Sequence, residues 1–268
     1  MDVITTSAPV PLDSFPNTAM DARRIFHSYL AQAKYETIRM LRAPAFSIPF
    51  LALPFLLYLL FAVVLFGDAA RTDANTARFL FTAFAVFGVI GPAMFGFGVT
   101  IAMEREQGLL KFKRAVPTPP AAYLLAKMWM AAVFALLISA TLIAAAVALG
   151  HLPLTAIQAF ETTIINILGV LPFCAIGLYL GTLVSGRSAP GFVHLVYQPM
   201  LYLSGLFFPL PKSLQFAAPI WPAFYLQQLV FRAIGAPSRG PAILHIAVLT
   251  GVTVLFTTLA TRRLACVG

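Results

Sequence analysis

Ser204 is followed by Gly205, and His245 lies in a later apolar stretch. A serine and a histidine brought together from separate segments can act as nucleophile and general base. In so apolar a chain the chemistry would be peptide hydrolysis within a membrane. Tyr202, however, stands two positions before the serine, where a tight oxyanion turn calls for glycine. Ser204 is therefore read as a packing or backbone-bonding serine and His245 as an interfacial histidine. An intramembrane serine protease built on the two stands as an alternative.

Other chemistries find less. His27, His151, His194 and His245 are scattered, and no HExxH or DxDxDG pattern occurs, so no metal site is predicted. Cys174 and Cys266 form neither a CxxC pair nor a disulfide framework and read as free thiols. Glu161 is the clearest acid in an apolar stretch. It lies 24 residues before Ser185, roughly 36 Å along a helix, at the outer end of its span. That placement suits an interface acid better than a proton carrier. An ion-coupled secondary transporter is the second alternative, with His194 and Gln198 one turn apart along a pathway. A phosphate-cradling loop needs a lysine after glycine. The five lysines follow Ala33, Leu110, Phe112, Ala126 and Pro211, so this chain has no such loop and any ATP drive must come from a partner.

The elements that must position these residues are apolar. The chain is 60% hydrophobic and only 10% charged, and the charge clusters between long apolar runs. A run of roughly 18 or more apolar residues reads as a membrane-spanning helix. The fold class is an all-α polytopic membrane protein, with six spans at about 46–66, 79–103, 128–149, 157–184, 190–208 and 242–261. Gly88, Pro92 and Gly96 fall at four-residue steps in the second, a small-residue face for close helix approach. Residues 1–20 read as a disordered tail and 264–268 as a short tail, with 21–263 a single transmembrane domain. No secretory signal is predicted, because the first hydrophobic run starts near Phe46.

Before that run, residues 21–43 form a basic amphipathic helix suited to the membrane interface. Phe26, Leu30, Ala33, Thr37 and Leu41 make its apolar stripe, and Arg23, Arg24, Lys34, Arg39 and Arg42 project mostly elsewhere. Residues 209–241 are apolar but rich in proline, and read as two short helices that dip into the outer leaflet and return. Six spans place thirteen of the basic residues on the face that carries both termini, against five on the other. The positive-inside rule makes the richer face cytoplasmic. The net charge of +9 fits a face lying on anionic lipid, not nucleic-acid binding.

The stretch MEREQGLLKFKRAVPTPP, residues 103–120, then connects spans 2 and 3 on that face. Leu109, Phe112 and Val116 share one helical face. Glu104 and Glu106 stand at the start of the predicted helix, about 104–116, and Lys111, Lys113 and Arg114 at its end, complementing its macrodipole. Pro117, Pro119 and Pro120 stop it. Lys127 follows at the base of span 3, where its stem can snorkel.

This stretch resembles the ERExGTL-type segment of ABC-2 type transporter permeases, through Glu104, Arg105, Glu106, Gly108, Leu109, Leu110, Pro117 and Lys127. Leu110 stands where threonine is usual, and Phe112 where many members carry charge. A second segment, Leu203, Ser204, Gly205, Phe208 and Pro209, is similar to the family's LSG-x-x-FP motif before an outer half-helix pair. The resemblance covers about residues 21–263. It implies the membrane subunit of an ATP-driven exporter in which two permease subunits, as a homodimer, pair above two separate ATPase subunits. ATP and Mg2+ would sit on the partner, with no cofactor in this chain. Residues 104–116 would be the coupling helix, with Glu104, Arg105, Glu106, Gly108, Leu109, Phe112 and Arg114 carrying the contact. Tyr197, Gln198, Tyr202 and Ser204 would lie along the pathway of an amphipathic cargo such as a drug, lipid or glycan-lipid.

The topology is checked by impermeant thiol labelling of single cysteines. Asp73→Cys should react from outside the cell and Gln107→Cys only after the membrane is opened. Labelling of the Asp73→Cys site only from the cytoplasmic side overturns this arrangement.

Overall fold

The computed structural model describes residues 22–109, 120–150 and 152–267. The predicted tail 1–20 lies outside them. Helix α1, Ala22–Leu41, is followed by α2, Pro44–Leu59, which continues as a π-helical turn, Leu60–Leu65. A short α3, Gly67–Thr72, leads to α4, Ala74–Glu106. Then come α5, Pro120–Ala148, α6, Ala156–Leu183, and α7, Ala189–Leu203. A 3-10 segment, Lys212–Ile220, precedes α8, Pro222–Ala233, and α9, Ala242–Val267, ends the described chain.

Capping chemistry sets the ends of the long helices. Asp73 starts α4: its carboxylate accepts the backbone N–H groups of Asn75 and Thr76 at 3.0 and 3.1 Å and the Thr76 hydroxyl at 2.7 Å. These hydrogen bonds hold the exposed carboxyl below the usual aspartate range. Thr155 and Gln158 form a reciprocal capping box at the start of α6. At the far end of α4, the Gln107 N–H reaches the Met103 carbonyl, and Gly108 takes φ +72°, the left-handed conformation that glycine supplies when a helix stops.

With 33 residues, α4 is about 50 Å long. That exceeds the roughly 30 Å hydrocarbon core, so its ends reach beyond it. Among the described residues five helices are long and apolar enough to cross a membrane: Pro44–Leu65, Ala74–Glu106, Ala122–Ala148, Ala156–Leu183 and Ala242–Leu264. The expected fifth span, 190–208, is helical only over Ala189–Leu203, about 22 Å. It ends where Gly205 turns at φ +75°. The two short helices expected over 209–241 are present as the 3-10 segment and α8.

Helix α4 is the hub. Two apolar cores lie against it. One holds Ile90, Met94, Phe97 and Ile101 with Phe173, Val193 and Leu226, and the other holds Phe81 and Phe84 with Tyr58, Phe134, Ile138 and the α1 residue Met40. Small residues set the approach. A Cβ on Gly88 would stand 2.5 Å from Ile138 Cγ2, and one on Gly96 3.0 Å from Met130 Cε. The tightest approach to backbone is here: Cβ atoms on Gly177 and Gly181 would lie 2.7 and 2.6 Å from the carbonyl oxygens of Met94 and Gly98. Parallel α4 and α6 thus touch through a four-residue glycine pair, a second seam besides the one expected at Gly88 and Gly96. Asn166 and Ser139, both wholly buried, join α6 to α5 by a 2.9 Å hydrogen bond.

The stripe expected on α1 is turned. Phe26 and Leu30 are more than half exposed, while Thr37 and Met40 are buried. The helix lies mainly on α5, and its inward face includes polar residues placed outside the expected stripe.

Gly177→Ala should cost about 1–3 kcal/mol of stability, because backbone and not a side-chain tip must give way. Gly251→Ala, where nothing lies within 4 Å, should be neutral or slightly stabilising. Thermal unfolding in detergent reads both, and equal effects would remove the backbone seam as a determinant.

Candidate functional site, an ionic joint at one end of the bundle

Three helices converge where α4 ends. From α1 come Glu36 and Arg39, one turn apart. From α4 come Thr100 and Glu104, and from α5 Tyr123 and Lys127, each pair four residues apart and so on one helix face. The Lys127 side chain has no exposure and that of Glu104 5%. The Lys127 ammonium donates to Glu36 Oε1 at 2.8 Å, to Thr100 Oγ1 at 2.8 Å and to Glu104 Oε1 at 3.4 Å. An ammonium has three donors, and each has a partner. The Thr100 hydroxyl passes its own hydrogen to the Gly96 carbonyl. Tyr123 OH donates to Glu104 Oε2 at 2.5 Å, and the Tyr123 ring centre lies 5.2 Å from the ammonium.

Arg39 closes the set from the open side. Its guanidinium donates to Glu36 Oε1 at 2.8 Å and to Glu104 Oε1 at 2.9 Å. Burial opposes its charge, but Glu36 and Glu104 outweigh that and hold it protonated more firmly than usual. Among the described residues, two acids and two bases leave no net formal charge. Carrying ions out of water costs several kcal/mol each, recovered only where pairing and hydrogen bonding are nearly complete. That completeness is what Glu36, Thr100, Glu104 and Tyr123 supply.

The next two residues of α4 point elsewhere. Successive residues are rotated by about 100°, so Glu104, Arg105 and Glu106 face different neighbours. Arg105 donates to the Thr182 and Val184 carbonyls, both at 2.6 Å, and so caps the C-terminal end of α6, where a cation also meets the negative end of the helix dipole. Glu106 lies against the turn before α7: a Cβ on Gly186 would stand 2.6 Å from Glu106 Oε2. Glu104 and Arg105 therefore tie the base of α4 to α1, α5 and α6, and Glu106 rests against the α6–α7 turn.

This placement corrects two expectations. Glu104 and Glu106 do not begin a separate helix. They are the last turn of α4, where a carboxylate meets the unfavourable end of the dipole, and the break falls at Gln107–Gly108. Lys127 does not snorkel: α5 starts at Pro120, which sets it two turns inside the helix and under α1. Leu109 is 40% exposed, and Gly108 has open space around its Cα. Phe112 and Arg114 lie outside the described residues. Glu36, Arg39, Tyr123 and Lys127 were not singled out as site residues. The available signal was a lone cation inside AAYLLAKMWMAA, since charges within apolar helices face partners.

The residues expected along a pathway are spread. Tyr197 is nearly buried, its ring centre 5.4 Å from Phe95, 5.9 Å from His194 and 6.3 Å from Phe87. Gln198 bonds His194 at 3.1 Å on the surface, and Tyr202 is half exposed against Phe207. Ser204 is buried and donates to the Leu201 carbonyl at 3.2 Å. His245 packs on the rings of Phe224 and Tyr225 and has no hydrogen bond among the described residues. Ser204 and His245 therefore do not form a nucleophile–base pair.

Two comparisons bear on this arrangement. The model of the family described as ABC-2 type transporter matches residues 27–234, which contain all six joint residues. A protein of Bacillus subtilis (strain 168) named "Putative transport permease YvfS" is 25% identical over 197 residues, covering 72% of this chain and 80% of its own length.

Lys127→Met should destabilise the protein by about 3–5 kcal/mol, because it leaves buried carboxylates without their ammonium. Adding Glu104→Gln to Lys127→Met should recover part of that loss. Chemical unfolding in detergent, compared across the single and double variants, checks the coupling, and simple additivity would show that the two groups do not act as a pair.

Proposed function

This chain belongs to the ABC-2 type transporter family, and on that premise we propose that it is the membrane subunit of an exporter driven by a separate ATPase. It is a transport permease integral to a membrane. In the proposed assembly two copies pair, each above an ATPase subunit that holds ATP and Mg2+. Both termini and the 104–120 connection face the cytoplasm of a cell whose inner membrane carries the complex. The cargo is amphipathic and moves outward.

The observation that carries the mechanism is the tethering of Glu104 and Arg105 to three helices of the bundle, with Glu106 against the turn that follows α6. A push on the segment that follows Gly108 reaches α4 directly. Glu104 passes it to α1 and α5, and Arg105 and Glu106 pass it to α6 and the turn into α7. Because Glu104 is a buried charge and Arg105 makes two hydrogen bonds to the end of α6, this end of the bundle moves as one body. Phe112 supplies the apolar anchor on the ATPase, with Leu109 beside it and Arg114 at the rim, since buried aromatics dominate interface energetics.

Three measurements test this. The purified chain should neither bind nor hydrolyse ATP, while an ATPase co-purifies; hydrolysis by the pure chain would overturn the division of labour. Phe112→Ala should weaken that association by about 2 kcal/mol or more. Arg105→Ala should retain the ATPase but lower transport and cargo-stimulated hydrolysis together. Normal transport in both variants, or transport driven by an ion gradient without ATP, would remove the reading.

A further inference from the structure

At the end of α4 opposite the joint, the outer loops line a half-open chamber of about 690 Å³ within one protomer. That is the size of a pocket for a drug-sized ligand. Its walls come from the start of α4, the LSG turn after α7, the 3-10 segment, α8 and the loop into α9. Phenylalanine rings dominate, among them Phe66, Phe79, Phe208, Phe224 and Phe231. A chamber lined this way accepts an apolar body.

Its polar groups are unequal. The Asp73 carboxylate is already used, accepting three hydrogen bonds as the α4 cap. Arg239 is different. Its backbone N–H is fixed by the Gln228 side-chain oxygen at 2.7 Å, but its guanidinium makes only one long contact, 3.4 Å from Nη1 to Gln215 Oε1. The other guanidinium N–H groups have no protein partner among the described residues, and the exposed side chain leaves them open to solvent or to a ligand. Gln227 and Gln228, both nearly buried, make one hydrogen bond each, against a capacity of four per amide. The chamber thus offers an exposed cation and spare amide groups beside aromatic walls, with the Asp73 carboxylate as the one acidic side chain in its lining.

We propose that this chamber binds a single anionic amphiphile, its apolar body among the phenylalanine rings and its anionic head on Arg239. The site is complete within one chain and does not depend on the direction of transport. The anion can come from a bilayer phospholipid or from an amphiphile dissolved in the medium, and the two sources share the same head chemistry.

The test uses the full chain in phosphatidylcholine nanodiscs, with Ser238→Cys in a Cys266→Ser background and a water-soluble maleimide. Asn75→Cys, at another wall, serves as a second reporter. Dodecyl phosphate should protect each cysteine at concentrations about tenfold or more below those of dodecyltrimethylammonium, as expected for hydrogen bonds to a charged group. Arg239→Gln should abolish that preference. Protection by phosphatidylglycerol in the disc, without added amphiphile, identifies the bilayer as the source. Protection by dodecyl phosphate alone identifies the medium. Equal protection by both amphiphiles, no protection at either reporter, or an unchanged preference in Arg239→Gln would overturn the proposal.

Discussion

An ammonium group with no access to solvent governs one end of this protein. Lys127 can stay charged there only because Glu36, Thr100 and Glu104 meet all three of its hydrogens. Those partners come from two other helices, so the demand of one ion fixes where three helices stand relative to one another. Apolar packing alone would allow α1 to slide or roll over α5. An ion pair buried at 2.8 Å does not, because any shift leaves a charge facing hydrocarbon.

The same helix that presents Glu104 also carries the tightest approach to backbone in the bundle, at Gly98 and Gly181. These two restraints sit on adjacent turns of α4, one polar and one steric. Together they make the lower part of α4 a stiff lever, while α2 and α9 are largely exposed along their lengths. In the proposed mechanism, force applied beyond Gly108 would meet this rigid hub first.

Much of this was legible in the sequence and some was not, for identifiable reasons. The long apolar runs mark the helices because lipid requires every backbone group to be satisfied internally. Charge was a poor guide to their ends. Glu104 and Lys127 look like the water-facing limits of spans, yet both helices run on, since each charge is neutralised across the helix interface and not by solvent. The fifth span was overestimated because Leu206, Phe207 and Phe208 are apolar enough to extend it, while the turn at Gly205 depends on backbone conformation that composition does not report. The Glu-Arg-Glu triplet drew attention by its residue types. That its members face different helices follows only once the helix phase through residue 106 is known. Glu36 and Arg39 were hidden by the assumption that the charged side of an amphipathic helix faces water.

The burial of Lys127 also constrains the order in which the chain can settle during synthesis. Glu36, Arg39 and Glu104 all precede it, so when α5 leaves the ribosome its counter-charges are already made. A free lysine two turns into an apolar helix would resist lateral release into lipid. Docking against a waiting acid removes that resistance. Helix α5 is therefore suited to enter the bilayer as the second half of a hairpin with α4, and not as an independent span. The amphipathic α1, made before both, is in place to close over the seam as it forms.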